Sequence, residues 1–277
     1  MVNKGSSTQR RASSSFEPPL PSADGLTISQ LSSEILLEIF AYFDTKSLSL
    51  VCPLVCGQWY KVVKDNKFWL ELCLRHGRAL PTKSMRQKFH DRWNYKKIYV
   101  KNPFGRNLIR NPSGKDGLSF WTTESGGDGW RVENPPVGAD HDFETCFATS
   151  FHTCTKQQTV QLEKEGVDGW ILDELKPKIV VSEWHAARWD CGAEYTFAPL
   201  LLSEQKKVLA DADVQQVTEQ WVGRAWAKAE HQFVHYPAGV RVVRHASSGS
   251  DTQFWKGFYG AKMAEASVAV VLDSVSD

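Results

Sequence analysis

In LSSEILLEIFAYF (31–43), apolar residues at Leu31, Ile35, Leu36, Ile39, Phe40 and Phe43 recur at steps of three and four. That period places them on one side of a helix. Ser32 or Ser33 can cap its start, and Asp44 can cap the next element. A short helix is expected over Ser47–Val51. A third is expected to open near Pro53, which tolerates a first-turn position, and to carry Trp59, Val62 and Val63. Phe68, Trp69, Leu72 and Cys73 continue the pattern with another amphipathic turn. Past Arg106 the period changes from helix to strand. Short runs separated by Gly and Pro follow one another: SFWTT, GWRVE, ETCFATSF, QTVQL, PKIVVSEWHA, AEYTFAPLLL, HQFVHY, GVRVVRHA, TQFWKGF and ASVAVVL. Regularly spaced pieces of this kind predict an antiparallel β-sandwich or barrel. One short helix is expected to interrupt them at DGWILDEL (168–175).

The chain therefore reads as α+β, with a small N-terminal helical domain at 26–76 and a C-terminal antiparallel β-sandwich or barrel at 105–277. Residues 1–25, rich in Ser, Pro and Arg without hydrophobic periodicity, are expected to be disordered. Residues 77–104 form a basic connector in which Asp91 is the only acid. Phe89, Trp93, Ile98 and Tyr99 interrupt it and predict a packed stem. Such a run could contact RNA or an acidic partner, or be the solvated face of a packed segment.

Composition narrows the function classes. A net charge of +1 removes global attraction to nucleic acid or a membrane surface. No apolar run approaches the roughly 20 residues a membrane span needs, and the N-terminus lacks the apolar core of a secretory signal. Six cysteines without a CxxC pair, and no Asn-x-Ser/Thr acceptor, since Pro112 follows Asn111, point to a reducing cytosolic or nuclear setting. Cys52 and Cys56 have i, i+4 metal-ligand spacing but lack a second pair. His185, Asp190 and Cys191 lie close in sequence, yet nothing around them resembles a nucleophile motif. Neither an enzyme nor a metal protein is expected, and no cofactor.

DTQFWKGFYGAK (251–262) is the stretch that composition leaves unexplained. One of its aromatics could sit at a loop tip instead of in a core. Aromatics in a sandwich strand more often belong to the core. The glycines at 257 and 260 favour a sharp turn.

Two segments resemble known domains. LSSEILLEIFAYF through LVCGQWYKVVKDNKFWLELC has the spacing of an F-box, with Ser32 where F-boxes usually carry Pro. GRNLIRNPSGKDG, GDGWRVENPP, CFATSF, QTVQLEKEGVDGWILDEL, IVVSEWHAARWDCGAEY, YPAGVRVVRH and DTQFWKGFYGAK resemble, in order, the F-box-associated domain of the sugar-recognising F-box proteins. The resemblance implies a jelly-roll-like sandwich. It implies a cytoplasmic, non-catalytic substrate receptor of a cullin–RING (SCF-type) ubiquitin ligase, serving endoplasmic-reticulum-associated degradation. Its implied partners are the ligase adaptor and cullin scaffold through the F-box, and misfolded N-glycosylated proteins through the chitobiose core of their high-mannose glycans. No nucleic acid and no membrane insertion are implied. Carried over by resemblance, Leu31, Ile35, Leu36, Val55 and Trp59 would meet the adaptor, some of them supporting the F-box fold instead. Trp255 would stack on the sugar, Phe254 and Phe151 would flank it, Lys256 would reach hydroxyls and Asp190 would accept from N–H or O–H groups. Phe258 and Tyr259 would brace Trp255. Phe254 stands where the glycan binders often carry Tyr. Relatives with the same fold that lack glycan binding keep a second reading open, a receptor or scaffold for protein partners.

Overall fold

The computed structural model describes residues 31–272; the expected disorder of 1–25 lies outside the described residues. Helix α1 (Ser33–Phe40) starts where the Ser32 hydroxyl accepts from the Ile35 amide at 3.4 Å. Asp44 then accepts from the amides of Lys46 and Ser47. The turn at Ser47–Val51 is wound as a π-helix and runs into α2 (Cys52–Val55). The single helix expected from Pro53 through Val63 is two helices. Cys56 adopts an extended conformation, φ −160°, and α3 (Gly57–Lys64) begins after it. Asp65 caps α4 (Asn66–Arg75). Leu36, Phe40, Leu48, Trp59, Phe68 and Leu72 form the buried core of this unit, with Trp59 edge-on to Phe40 at 4.7 Å.

The connector is packed. Helices α5 (Lys83–Lys88) and α6 (Tyr95–Lys101) carry it. Trp93, Ile98 and Tyr99 are buried and Phe89 is half-buried. Trp93 stands against Trp170, ring centroids 4.7 Å apart. The basic run meets acids of the sandwich: Arg92 pairs with Glu174 and Lys97 with Asp168, and just past the run Arg106 pairs with Glu165. These pairings give the charge run an intramolecular role, at the surface between stem and sandwich.

Two antiparallel sheets make the sandwich. One orders β1 (Thr122–Glu124), β4 (Cys154–Gln161), β11 (Val242–Asp251), β6 (Ala193–Phe197) and β9 (Val214–Thr218). The hairpin β7 (Leu200–Leu202) and β8 (Val208–Asp211) joins it through β7 on β11. The other orders β10 (Ala227–Phe233), β5 (Lys178–Ala186), β12 (Lys262–Val271), β3 (Cys146–Ala148) and β2 (Arg131–Glu133). Between β4 and β5 lie α7 (Leu162–Glu165) and the expected turn of helix, at Ile171–Leu175. Inward side chains such as Phe147, Val181, Phe197, Val243 and Val268 close the core. A fully buried ion pair, Lys156 to Glu183, joins the two sheets, and the Tyr195 hydroxyl donates to the same carboxylate at 2.9 Å. Strand β11 ends at Asp251 and β12 starts at Lys262, so TQFWKGF is a loop between them and not a strand.

Candidate functional site

The loop from Thr252 to Ala261 joins two central strands at one end of the sandwich. Its base is tightly bonded. The Asp251 amide donates to the Ser150 carbonyl at 3.1 Å, and the Gly260 amide to the Thr149 carbonyl at 3.1 Å. A Cβ at Gly260 would meet the Thr149 hydroxyl at 2.3 Å, so only glycine allows this approach. The buried Asp251 carboxylate accepts from the amides of Gln253 and Phe254, an Asx turn that reverses the chain at once. Ser150 donates its hydroxyl to the Gly257 carbonyl at 2.7 Å and accepts from the Asp128 amide. Gly257 has φ 123°, a conformation L-residues rarely adopt.

Three consecutive side chains, Phe254, Trp255 and Lys256, project from this base. Phe254 has φ 56°, uncommon for a bulky residue, and is 70% exposed. Trp255 is 38% exposed, and Tyr259 stands edge-on to it. The Arg188 guanidinium lies over Tyr259 at 4.4 Å and binds Asp190 through Nε–H to Oδ1 at 2.6 Å. On the other flank His152 lies between Phe151 and Phe254, 4.9 and 6.1 Å from their ring centroids. Phe258 turns away from the tip to cover Arg131.

The five residues expected to hold a glycan thus surround one loop, but not equally. Phe254, Trp255 and Lys256 are at its tip. Phe151 is half-buried and reached through His152. Asp190 reaches Trp255 only through Arg188 and Tyr259, and its carboxylate is engaged by Arg188 instead of standing free. Sequence reasoning missed His152, Arg188 and the two polar anchors Ser150 and Asp251. Of these only Asp251 had a local signal, an Asp followed closely by a bend.

The five F-box residues carried over by resemblance divide between core and surface of the helical unit. Leu36 and Trp59 are inside its core, not on its surface, and Leu31 is half-buried. Leu36 and Phe40 sit one helical turn apart, so both point inward, and Trp59 closes on Phe40. Ile35 and Val55 are exposed as expected, together with Leu50, Val51, Leu54 and Tyr60, which the reading omitted. The signal was present: SLSLVCPLV holds more apolar residues than a short turn can bury on one side.

His185 and Cys191 are buried in the sandwich. His185 stacks on Tyr195 at 4.1 Å, and burial pushes its imidazole pKa down. Burial pushes the Cys191 thiol up to about 11, far from a thiolate nucleophile. Among the described residues no cluster of three or more His, Cys, Asp or Glu is arranged to hold a metal, and no helix is long and apolar enough to cross a membrane.

Comparison with known proteins places these features. Residues 28–75 match the family described as F-box-like, and residues 99–270 the F-box associated region. F-box only protein 6 of Homo sapiens is 36% identical over 251 residues, 88% of this chain and 84% of that protein. F-box only protein 44 of Homo sapiens is 34% identical over 88% of this chain and 96% of its own length. F-box only protein 27 of Mus musculus is 36% identical over 91% and 95%. A family 22 carbohydrate-binding module of Clostridium thermocellum Xyn10B is similar at a TM-score of 0.39 and 7% identity, covering 61% of this chain and 95% of that one, a likeness that carries no argument about function. With an F-box of four packed helices, a packed stem and a two-sheet associated domain, the chain belongs to the F-box only proteins that carry an F-box-associated region.

Proposed function

We propose that the protein is the substrate receptor of a cullin–RING ubiquitin ligase and reads the chitobiose core of N-linked high-mannose glycans at the Phe254–Lys256 tip. The observation that carries this reading is the tip itself. A soluble fold has every reason to bury a tryptophan and a phenylalanine, yet here a bonded loop base holds both outward beside a lysine. Trp255 offers its plane to the apolar face of the sugar, Phe254 flanks it, and Lys256 donates to hydroxyls. Asp190 acts through Arg188 and Tyr259, setting the angle of Trp255. The F-box docks the adaptor with its exposed strip of Ile35, Leu50, Val51, Leu54 and Val55, a helix-in-groove mode of recognition. The packed stem holds the two modules at a fixed separation, which ubiquitin transfer to a bound client requires.

A second reading, a receptor for protein clients without glycan recognition, is favoured by one observation. Trp189 and Trp221 form an exposed aromatic pair, centroids 5.3 Å apart, beside the exposed Val222. A glycan array probed with the full chain separates the two readings. Retention of chitobiose-containing glycans, lost in Trp255→Ala, is the expected result. A wild-type chain that ignores them while still pulling client proteins from cells establishes the second reading.

A further inference from the structure

The larger sheet carries a second candidate site at the opposite end of β11 from the tip. Val243, His245 and Ser247 of this strand face the core. By alternation Val242 and Arg244 face outward. Arg244 is paired with Thr159 on one side and Leu200 on the other, and Val242 with Gln161 and Leu202. The turn between β7 and β8 folds over this row. The Ser203 amide donates to the Lys207 carbonyl at 2.9 Å, and Lys206 takes φ 65°. The result is a groove of about 370 Å³, lined by Gln157, Thr159, Gln161 and Arg244 on the sheet side and by Glu204, Lys206 and Val208 on the hairpin side. A volume of this size suits a small molecule. Arg244 lies seven positions before Asp251, roughly 23 Å of strand, so this groove is not part of the tip.

The chemistry of the lining is uneven in an informative way. Arg244 lies at the sheet floor with its Nε buried, and that donor has no hydrogen-bond partner among the described residues. A planar guanidinium set in a groove is matched by a carboxylate, which it can engage in two parallel bonds. Lys206 adds a second cation at the rim. The amides of Gln157 and Gln161 and the hydroxyl of Thr159 each both donate and accept, as a row of sugar hydroxyls requires. Leu202 and Val208 supply an apolar wall for the CH face of a ring. We propose that this groove binds an acidic sugar, its carboxylate on Arg244 and Lys206 and its hydroxyls on Gln157, Thr159, Gln161 and Glu204. The assignment is independent of the tip: it needs neither Trp255 nor a glycan bound there.

The test is an amide NMR titration of the full chain with D-glucuronate, run beside glucose, acetate and inorganic phosphate. Glucuronate shifts the amides of Thr159, Val208 and Arg244, while the other three compounds bind at least several-fold more weakly. Arg244→Gln lowers glucuronate affinity by about tenfold or more, the size of a lost charge-assisted contact, and Trp255→Ala leaves it unchanged. Lys206→Gln, on an exposed turn that tolerates substitution, lowers it several-fold and decides the matter if Arg244→Gln does not fold. Absence of shifts in the groove, or full affinity in Lys206→Gln and any folded Arg244→Gln, overturns the site. Equal binding of acetate or phosphate overturns the class of ligand.

Discussion

Tyr259 stands edge-on to Trp255, with ring centroids 5.5 Å apart and planes at 86°. The edge of one ring against the face of another is the favoured aromatic geometry, so Tyr259 fixes the plane that Trp255 presents. Trp255 itself is 38% exposed and shares little with the core. Trp255→Ala is therefore expected to abolish most glycan binding, about tenfold or more given roughly 50 Å² of stacked surface. It should lower stability by far less than the about 3–5 kcal/mol of a buried tryptophan. Tyr259→Ala keeps the platform but frees it, and an intermediate loss is expected. Glycan titrations paired with thermal melts of both variants check this. A sharp fall in melting temperature for Trp255→Ala would mean that the ring is core packing.

Asp251 is expected to matter more for binding than for folding. Its Oδ1 accepts from two successive amides and so holds Phe254 at positive φ. Asp251→Ala removes both bonds and should destabilise by about 1–2 kcal/mol, as loss of a cap does. The tip would then sample many conformations, and glycan affinity should fall further than stability alone explains. Asp251→Asn keeps an oxygen at the same place and should retain most binding. Calorimetric titration of the two variants distinguishes them; equal losses in both would point to the carboxylate charge, not the turn.

The helices and most strands were legible because their hydrophobic period is unbroken. In β11, Val242 to His245 announced the strand, but Ser247, Ser248, Gly249 and Ser250 hid its far half, since Ser and Gly carry little strand preference. Strands β8 and β9 were missed for a related reason: Asp211, Gln215 and Gln216 are exposed at a sheet periphery, and the run of exposed residues in β9 breaks the alternation. The exposed tip was legible as a motif, because Phe254, Trp255 and Lys256 are consecutive. Arg188 and His152 were not, because each contributes through a neighbour folded against it from a distant part of the chain. The Lys156–Glu183 pair was equally hidden, since nothing in a sequence says that two charges from different sheets will meet in a core.

His245 should make the sandwich acid-sensitive. It lies in the core between Trp121 and Phe197, with Nε2 3.3 Å from the Ser182 carbonyl. Burial pushes its pKa down to about 4; the Lys156 ammonium adds to that shift and the Glu183 carboxylate opposes it. An unfolded histidine titrates near 6.5. Between about pH 6.5 and 4 the unfolded chain takes up a proton that the folded chain refuses, so stability falls as pH falls across that window. The full difference corresponds to about 3 kcal/mol. His185, also pushed down by burial, acts in the same direction. Urea melts at pH 7, 5.5 and 4.5 should show the decline, and His245→Phe, which fits the aromatic surroundings without a titrating group, should flatten most of it. An unchanged slope in that variant would assign the acid sensitivity to other groups.

The F-box surface offers the cleanest separation of docking from folding. Leu54 is 84% exposed at the end of α2, and Val55 beside it is half exposed. Neither supports the helical core, where Leu36, Phe40 and Trp59 meet. Placing a carboxylate at Leu54 therefore costs the isolated protein little, because water still solvates it, but in an apolar interface the same charge is desolvated without a partner. Leu54→Asp should leave the melting temperature within a few degrees of wild type and abolish co-purification with the ligase adaptor and cullin. Leu36→Ala should do the reverse in origin, destabilising the helical unit by about 2–5 kcal/mol and losing the adaptor only as that unit unfolds. Pull-downs at a temperature where both variants remain folded distinguish the two. Adaptor capture that survives Leu54→Asp and Val55→Asp together would move the docking surface off this strip, to the face of α3 that carries Tyr60.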